Sequence, residues 1–296
     1  MPNNPFTPPA WHIASLLAVC LFAATVPAQA PPAAQHKPSE PMQPDTKVAN
    51  PDELLAKASK LYYSYAATGL DGFDCAVHPD WKKIVLVSKK GAPDPADERH
   101  IQLLNTVKVS LHAHLKGESS LGWDEPQASN ALDKDSTAVL VAMHQATQQT
   151  LQGFLQFWTP FINGSIVPTS SEGLDVTQTG NGYKVEANQN GTSVTEVFDS
   201  KLVLQEFHVF INGMTVNFTP TYKPTDKGLL VSTFVARIQQ PGATPDATAQ
   251  SQQMHVTIDY QTVDEFPVPA QLSMDVVGTG TLNFVLDACT VSRVPN

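Results

Sequence analysis

His112 and His114 stand two positions apart in "TVKVSLHAHL" (106–115). Side chains at i and i+2 of a strand project from one face. Two imidazoles placed that way supply half of a tetrahedral zinc site. The stretch reads as a strand, because Val107, Val109, Leu111, Ala113 and Leu115 alternate with Lys108, Ser110, His112 and His114. Spacing sets no third ligand, so the two histidines read as an exposed polar face and no metal site is assigned.

Carboxylates are the next candidates. Asp71 and Asp74 in "LDGFD" lack the alternating ligands of a calcium loop. Glu196 with Asp199, and Asp264 with Glu265, have the residue types of paired acids. Nothing in the sequence brings any two across a cleft, as a carboxylate-pair hydrolase needs. There is no G-x-S-x-G elbow, P-loop, dinucleotide fingerprint or H-E-x-x-H. No catalytic residue and no cofactor is assigned, and a non-enzymatic protein is expected.

Cysteine is used three times, at Cys20, Cys75 and Cys289. Cys20 lies in an apolar run from Ile13 to Val26, followed by the small residues of "VPAQA". The run is shorter than the ~20 residues a spanning helix needs. It matches a signal-peptide core with Val26 and Ala28 before the cut, so 1–28 is expected to be removed. Val19 is not the small residue that a lipid-attachment cysteine wants before it, so Cys20 is expected to leave with the signal. The mature chain then carries two cysteines in an exported setting, periplasmic or secreted. Cys75 and Cys289 are expected to form a disulfide, with two buried free thiols as the alternative. No C-x-x-C marks either as a redox nucleophile.

The elements that position these residues follow from patterning. Residues 29–50 are rich in Pro, Ala and Gln, and eleven of the 24 prolines fall within the first 51 residues. Such a segment cannot bury a core and reads as a disordered linker. Residues 51–296 read as one domain. The net charge of −10 argues against nucleic acid and anionic membrane surfaces as partners. A helix is expected over 51–67, capped by Asn50 with Pro51 and Glu53 and stopped at Gly69. Leu54, Ala58, Leu61 and Tyr65 set its stripe. The longest helix is expected over 133–162, with Asp133 or Asp135 as its cap and Pro160 kinking or ending it. Its second half is nearly apolar all round, so it must be buried or face an apolar ligand. Two polar, Pro- and Ala-rich loops are expected at 88–99 and 240–252.

From 173 onward, nine short alternating segments follow, with Asn-Gly pairs at 181–182, 190–191 and 212–213. No strand–helix–strand alternation occurs there, so the sheet is antiparallel. The fold class is α+β: a curved antiparallel meander, or half-barrel, with the long apolar helix packed in its concave face.

The segments "DKGLLVSTFVARIQQ" and "IDYQTVDEFPVPAQLSMDVVGTGTLNFVL", with the Phe266–Pro269 break, resemble the outer-membrane lipoprotein carrier (LolA-like) superfamily of exported half-barrels. The resemblance covers 51–76 and 173–291. It implies a concave apolar sheet covered by helices that open to hold acyl chains. A hydrophobic ligand, lipid or acylated lipoprotein, is then expected between sheet and helix at Leu151, Phe154, Leu155, Phe157, Trp158 and Phe161. The alternative is an envelope scaffold with a filled core and no small-molecule ligand.

Overall fold

A computed structural model describes residues 45–86, 94–115, 119–125, 133–163, 166–189, 191–211, 213–239, 251–277 and 280–294. The expected signal peptide, Cys20, residues 29–44 of the expected linker, and 88–93 and 240–250 of the two loops lie outside the described residues.

In chain order the elements are β1 (Thr46–Lys47), α1 (Pro51–Ser59), α2 (Tyr65–Thr68), β2 (Leu70–Pro79), α3 (Trp81–Leu86), α4 (Pro95–Leu104), β3 (Lys108–His114), β4 (Ser120–Asp124) and α5 (Lys134–Ile162). Then come β5 (Leu174–Thr179), β6 (Gly182–Gln189), β7 (Thr192–Asp199), β8 (Leu204–Ile211), β9 (Met214–Thr225), β10 (Gly228–Gln239), β11 (Ser251–Val263), β12 (Phe266–Val276) and β13 (Gly280–Arg293). The chain is α+β, and mostly antiparallel sheet. Its thirteen described strands form an order that does not close, with β1 and β4 as end strands.

Within the single domain expected over 51–296, the described residues cluster in two units. One takes the chain up to Tyr63 with Ser165–His255; the other takes Ser64–Gly164 with Val256–Asn296.

In the first unit the strand order is β1-β5-β6-β7-β8-β9-β10. The last residues of the expected linker take part, because Thr46 and Lys47 pair with Gln178 and Thr177. The helix expected over 51–67 is two helices. α1 stops at Ser59 because the next residues leave the helix to meet β10: Leu229 N–H donates to the Leu61 carbonyl (2.7 Å), and Tyr63 N–H donates to Leu229 (2.9 Å). Gly228 makes that approach possible. Its φ is +126°, and a Cβ there would lie 2.8 Å from the Tyr62 carbonyl carbon and the Tyr63 nitrogen. α1 buries Ala58 of the expected stripe together with Leu55, while Leu54 is only half-buried. Its capping also differs: the Asn50 amide donates to the Glu53 carboxylate (3.0 Å), and the Asn50 side chain accepts no helix N–H. In β10 the alternation changes phase. Leu230 and Val231 are both buried, then Phe234, Ala236 and Ile238, because the register with β9 shifts between Val231 and Thr233.

In the second unit the order is β11-β12-β13-β2-β3-β4. Val109, Leu111 and Ala113 of β3 are buried, as the alternation expects. Residues 95–104, partly read as loop, form α4, with Asp94 as its cap. Asp94 and Asp97 close a reciprocal capping box, with Asp94 accepting from Ala96 N–H (2.8 Å) and Asp97 N–H (2.9 Å). β11 and β12 meet in a two-residue turn at Asp264-Glu265, both at positive φ. These two acids therefore shape a hairpin turn. Arg293 holds it, donating to the Asp264 carbonyl (3.4 Å) and the Glu265 carboxylate (3.0 Å).

Cys75 and Cys289 form a disulfide between neighbouring strands, β2 and β13. The register shifts between Asp287 and Thr290, which sets Ala288 and Cys289 together opposite Cys75. Ala288 takes φ 46° there. The Gln261 amide of β11 donates to the Leu286 carbonyl beside the bulge (2.8 Å) and to Pro269 (3.3 Å). Bulge and bond together fix the β2–β13 seam. Replacing both cysteines by alanine is expected to lower unfolding stability by ~2–5 kcal/mol, read from urea midpoints at constant slope. Ala288→Gly is expected to raise it by up to ~1 kcal/mol, since glycine carries no penalty at positive φ.

Candidate functional site

The helix expected over 133–162 is α5. Asp133 caps it by accepting from Ser136 N–H (2.7 Å). Pro160 lies in the last turn and does not end the helix, which runs on to Ile162 with Asn163 N–H donating to the Thr159 carbonyl (2.8 Å). Asn163 then fastens the helix end. Its side-chain amide donates to the Leu115 carbonyl, and its own carbonyl accepts from Ala66 N–H (3.0 Å) and Ser64 Oγ (3.4 Å).

The six side chains expected to line a ligand site, Leu151, Phe154, Leu155, Phe157, Trp158 and Phe161, are all buried. Trp158 is the centre. Phe154 stacks on it at 5.5 Å, and Tyr65 (5.9 Å) and Phe73 of β2 (6.0 Å) meet it edge to face. Its indole N–H donates to the Tyr260 hydroxyl (2.9 Å). Burial pushes the Tyr260 phenol well above its ordinary range, so it stays neutral. Tyr65 in turn donates its hydroxyl to the Pro267 carbonyl. Tyr65 belongs to this unit, whereas Tyr62 packs in the first unit.

The first half of α5 differs. Only Leu140 and Thr147 are buried before Leu151. Lys134, Thr137, Ala138, Val141, Ala142 and Gln145 form one wall of an open groove of about 490 Å³. Their spacing of three and four puts them on one helix face. Val141 is 49% exposed. The apolarity that marks the second half of the helix did not single out this face. Its signal was the pair of alanines flanking a valine between polar residues.

The histidines and acids are placed as follows. His112 Nδ1 lies 2.6 Å from Asp74 Oδ1, and His112 Nε2 lies 3.3 Å from Ser110 Oγ. No cluster of three metal-ligating side chains occurs among the described residues. Asp199 caps a turn, accepting from Lys201 N–H and Val203 N–H (both 2.9 Å), and does not pair with Glu196.

Glu196 is the residue that sequence reasoning undervalued. It is 5% exposed, and it lies in β7 directly between Val185 and Phe207 in a row of buried apolar side chains. Its Oε2 has no hydrogen-bond partner. Burial pushes its carboxyl up to about 8, so it is mainly protonated at neutral pH. Tyr62 and Tyr222 share its electrostatic environment in the first unit, with rings 5.4 Å apart, edge to face. Burial raises both phenols, Tyr62 to about 12, and the Tyr62 oxygen accepts from Leu204 N–H (2.6 Å).

Comparison with family models, with curated proteins and with solved structures finds no match to this chain.

Trp158→Ala is expected to cost about 3–5 kcal/mol, and Trp158→Phe less, with the Tyr260 hydroxyl then losing its donor. Denaturant unfolding checks both. Glu196 makes stability depend on pH. Between pH 4.5 and about 8 the folded chain keeps a proton that the unfolded chain has released. Stability therefore falls as pH rises through that window and levels off above it, by up to roughly 5 kcal/mol. Glu196→Gln is expected to flatten this decline, as read from melting temperatures between pH 5 and 9.

Proposed function

We propose that this is an exported protein that binds an apolar, acyl-bearing ligand, a lipid or an acylated lipoprotein, along α5. The observation that carries the reading is the open groove on the first half of that helix. Every residue that lines it is exposed, so a guest there would lie along the surface of the helix and not be enclosed. Ala138, Val141 and Ala142 offer methyl surface, while Lys134 brings a cation to the same face for an acidic headgroup. Each acyl methylene removed from water would add ~0.8 kcal/mol. Leu151, Phe154, Leu155, Phe157, Trp158 and Phe161 lie on the other side of the helix and are committed to packing, so the guest would be held by the groove face alone. In this reading the sheet curls around α5 as a LolA-like half-barrel does. The apolar run at 13–26 and the Cys75–Cys289 disulfide support export.

A scaffold reading is favoured by a different observation: the packed aromatic cluster around Trp158, which fills the space a deeply buried guest would need. Lipid extraction with mass spectrometry of the native protein, joined to titration with a fluorescent fatty acid, separates the two. Bound lipid or saturable affinity supports the binder. Neither one leaves the scaffold. Ala138→Trp, which fills the groove from an exposed position, is expected to weaken fatty-acid binding at least tenfold and to leave the melting temperature within a few degrees.

A further inference from the structure

We propose that Ser110, His112 and Asp74 form an acyl-accepting relay on the outward face of β2, β3 and β4, directed at esters with good leaving groups. Strand register assembles it. Ser110 and His112 lie two apart on β3 and share a face, and Asp74 of β2 stands directly opposite His112. The contacts then run in series. Asp74 Oδ1 lies 2.6 Å from His112 Nδ1, which fixes the ring with its Nδ1–H donated to the carboxylate. That tautomer leaves Nε2 as an acceptor, 3.3 Å from Ser110 Oγ. Nucleophile, base and orienting carboxylate in that order are what serine acylation requires.

Two further features suit the hydroxyl to attack. Its cross-strand neighbours are the smallest side chains available, Ala76 on β2 and Gly122 on β4. A Cβ at Gly122 would collide with Ser110 Oγ and lie 3.7 Å from His112 Nε2, so the hydroxyl occupies room that only glycine leaves. The relay is also reachable, since the His112 and Asp74 side chains are 45% and 58% exposed.

The step balances without a cofactor. Ser110 Oγ bonds to the acyl carbon and its proton passes to His112 Nε2. The ester C–O bond breaks, and the leaving oxygen either takes the proton back from His112 or departs as a phenolate, in which case His112 gives its proton to solvent. Water then repeats the sequence in reverse roles, releasing the carboxylic acid and restoring Ser110. β3 is hydrogen-bonded to β2 on one side and β4 on the other. Its amides are thus committed and do not serve as oxyanion donors. That limits the class to activated esters and organophosphonates and excludes amides.

The test treats the intact protein with an alkyl fluorophosphonate and maps the adduct by mass spectrometry. The native chain is expected to carry it on Ser110, faster than the urea-denatured chain and more slowly as the solution is acidified. His112→Gln is expected to slow labelling at least tenfold and to abolish the acid limb. Asp74→Asn, which acts through the imidazole, is expected to slow it about tenfold while altering the pH profile. Gly122→Ala, which displaces the hydroxyl, is expected to slow it similarly. A native chain that labels Ser110 no faster than the denatured one overturns the proposal, and so does an unchanged rate in His112→Gln. Fatty-acid binding along α5 is read separately and does not enter either outcome.

Discussion

The second unit is organised by one requirement: the last three turns of α5 must be kept from water. Phe154, Leu155, Phe157, Trp158, Phe161 and Ile162 crowd that half of the helix and leave only the narrow strip of Gln152, Gln156 and Thr159 to face water. Fully burying each such side chain is worth about 1.5–3 kcal/mol. Burial of the indole also creates a demand of its own, because a dry N–H without a partner costs ~1–3 kcal/mol. Tyr260 meets that demand, and its phenol is buried in turn. Asn163 closes the helix by spending its amide on Leu115 and its carbonyl on residues 64–66. One buried helix end thus dictates partners on α2, β2, β11 and the segment after β3.

The first unit solves its packing differently, and carries a defect. Its row of inward residues, Val176, Val185, Glu196, Phe207 and Phe218, is broken by a carboxyl group where an apolar side chain would pack. Staying protonated is cheaper for that group than holding a charge among apolar neighbours. The Tyr62 hydroxyl is committed to the backbone at Leu204 and Leu202, and no hydrogen bond joins Glu196 Oε2 to it. A buried acid left in this condition does not stabilise the fold at neutral pH. It makes the unit more stable in acid than in mild alkali.

Much of this was legible in the sequence, for identifiable reasons. The strands after 173 were read closely because alternation and Gly or Asn at the turns are local signals. The span of α5 followed from its cap and its apolar run. Local signals failed where distant backbone intervened. Residues 51–67 have helical periodicity throughout, yet Leu61 and Tyr63 leave the helix to bond Leu229 of β10. The Asp264-Glu265 turn carries no glycine, so its positive φ values were invisible, and its acids stood out only as residue types that a carboxylate pair would need. The bulge at Ala288 and Cys289 had no signal of its own, although the pairing of Cys75 with Cys289 was inferable from compartment and count.

The same reasoning locates where chemistry is possible. A β-strand divides its side chains between two faces, and in β2 and β3 the inward set is Phe73, Cys75, Val77, Val109, Leu111 and Ala113, all committed to packing. Every reactive group on these strands must therefore lie outward. There, neighbours are set by register and not by sequence distance. Asp74 and His112 are 38 positions apart and meet because their strands pair at that residue. Serine and histidine two apart, read along the chain alone, are an unremarkable polar alternation. Only the strand pairing supplies the third member and the glycine that makes room for the hydroxyl. An outward sheet face offers access but no enclosure, so substrate reactivity has to come from the leaving group and not from oxyanion stabilisation. That separates the relay physically from the groove on α5, where apolar surface would provide affinity.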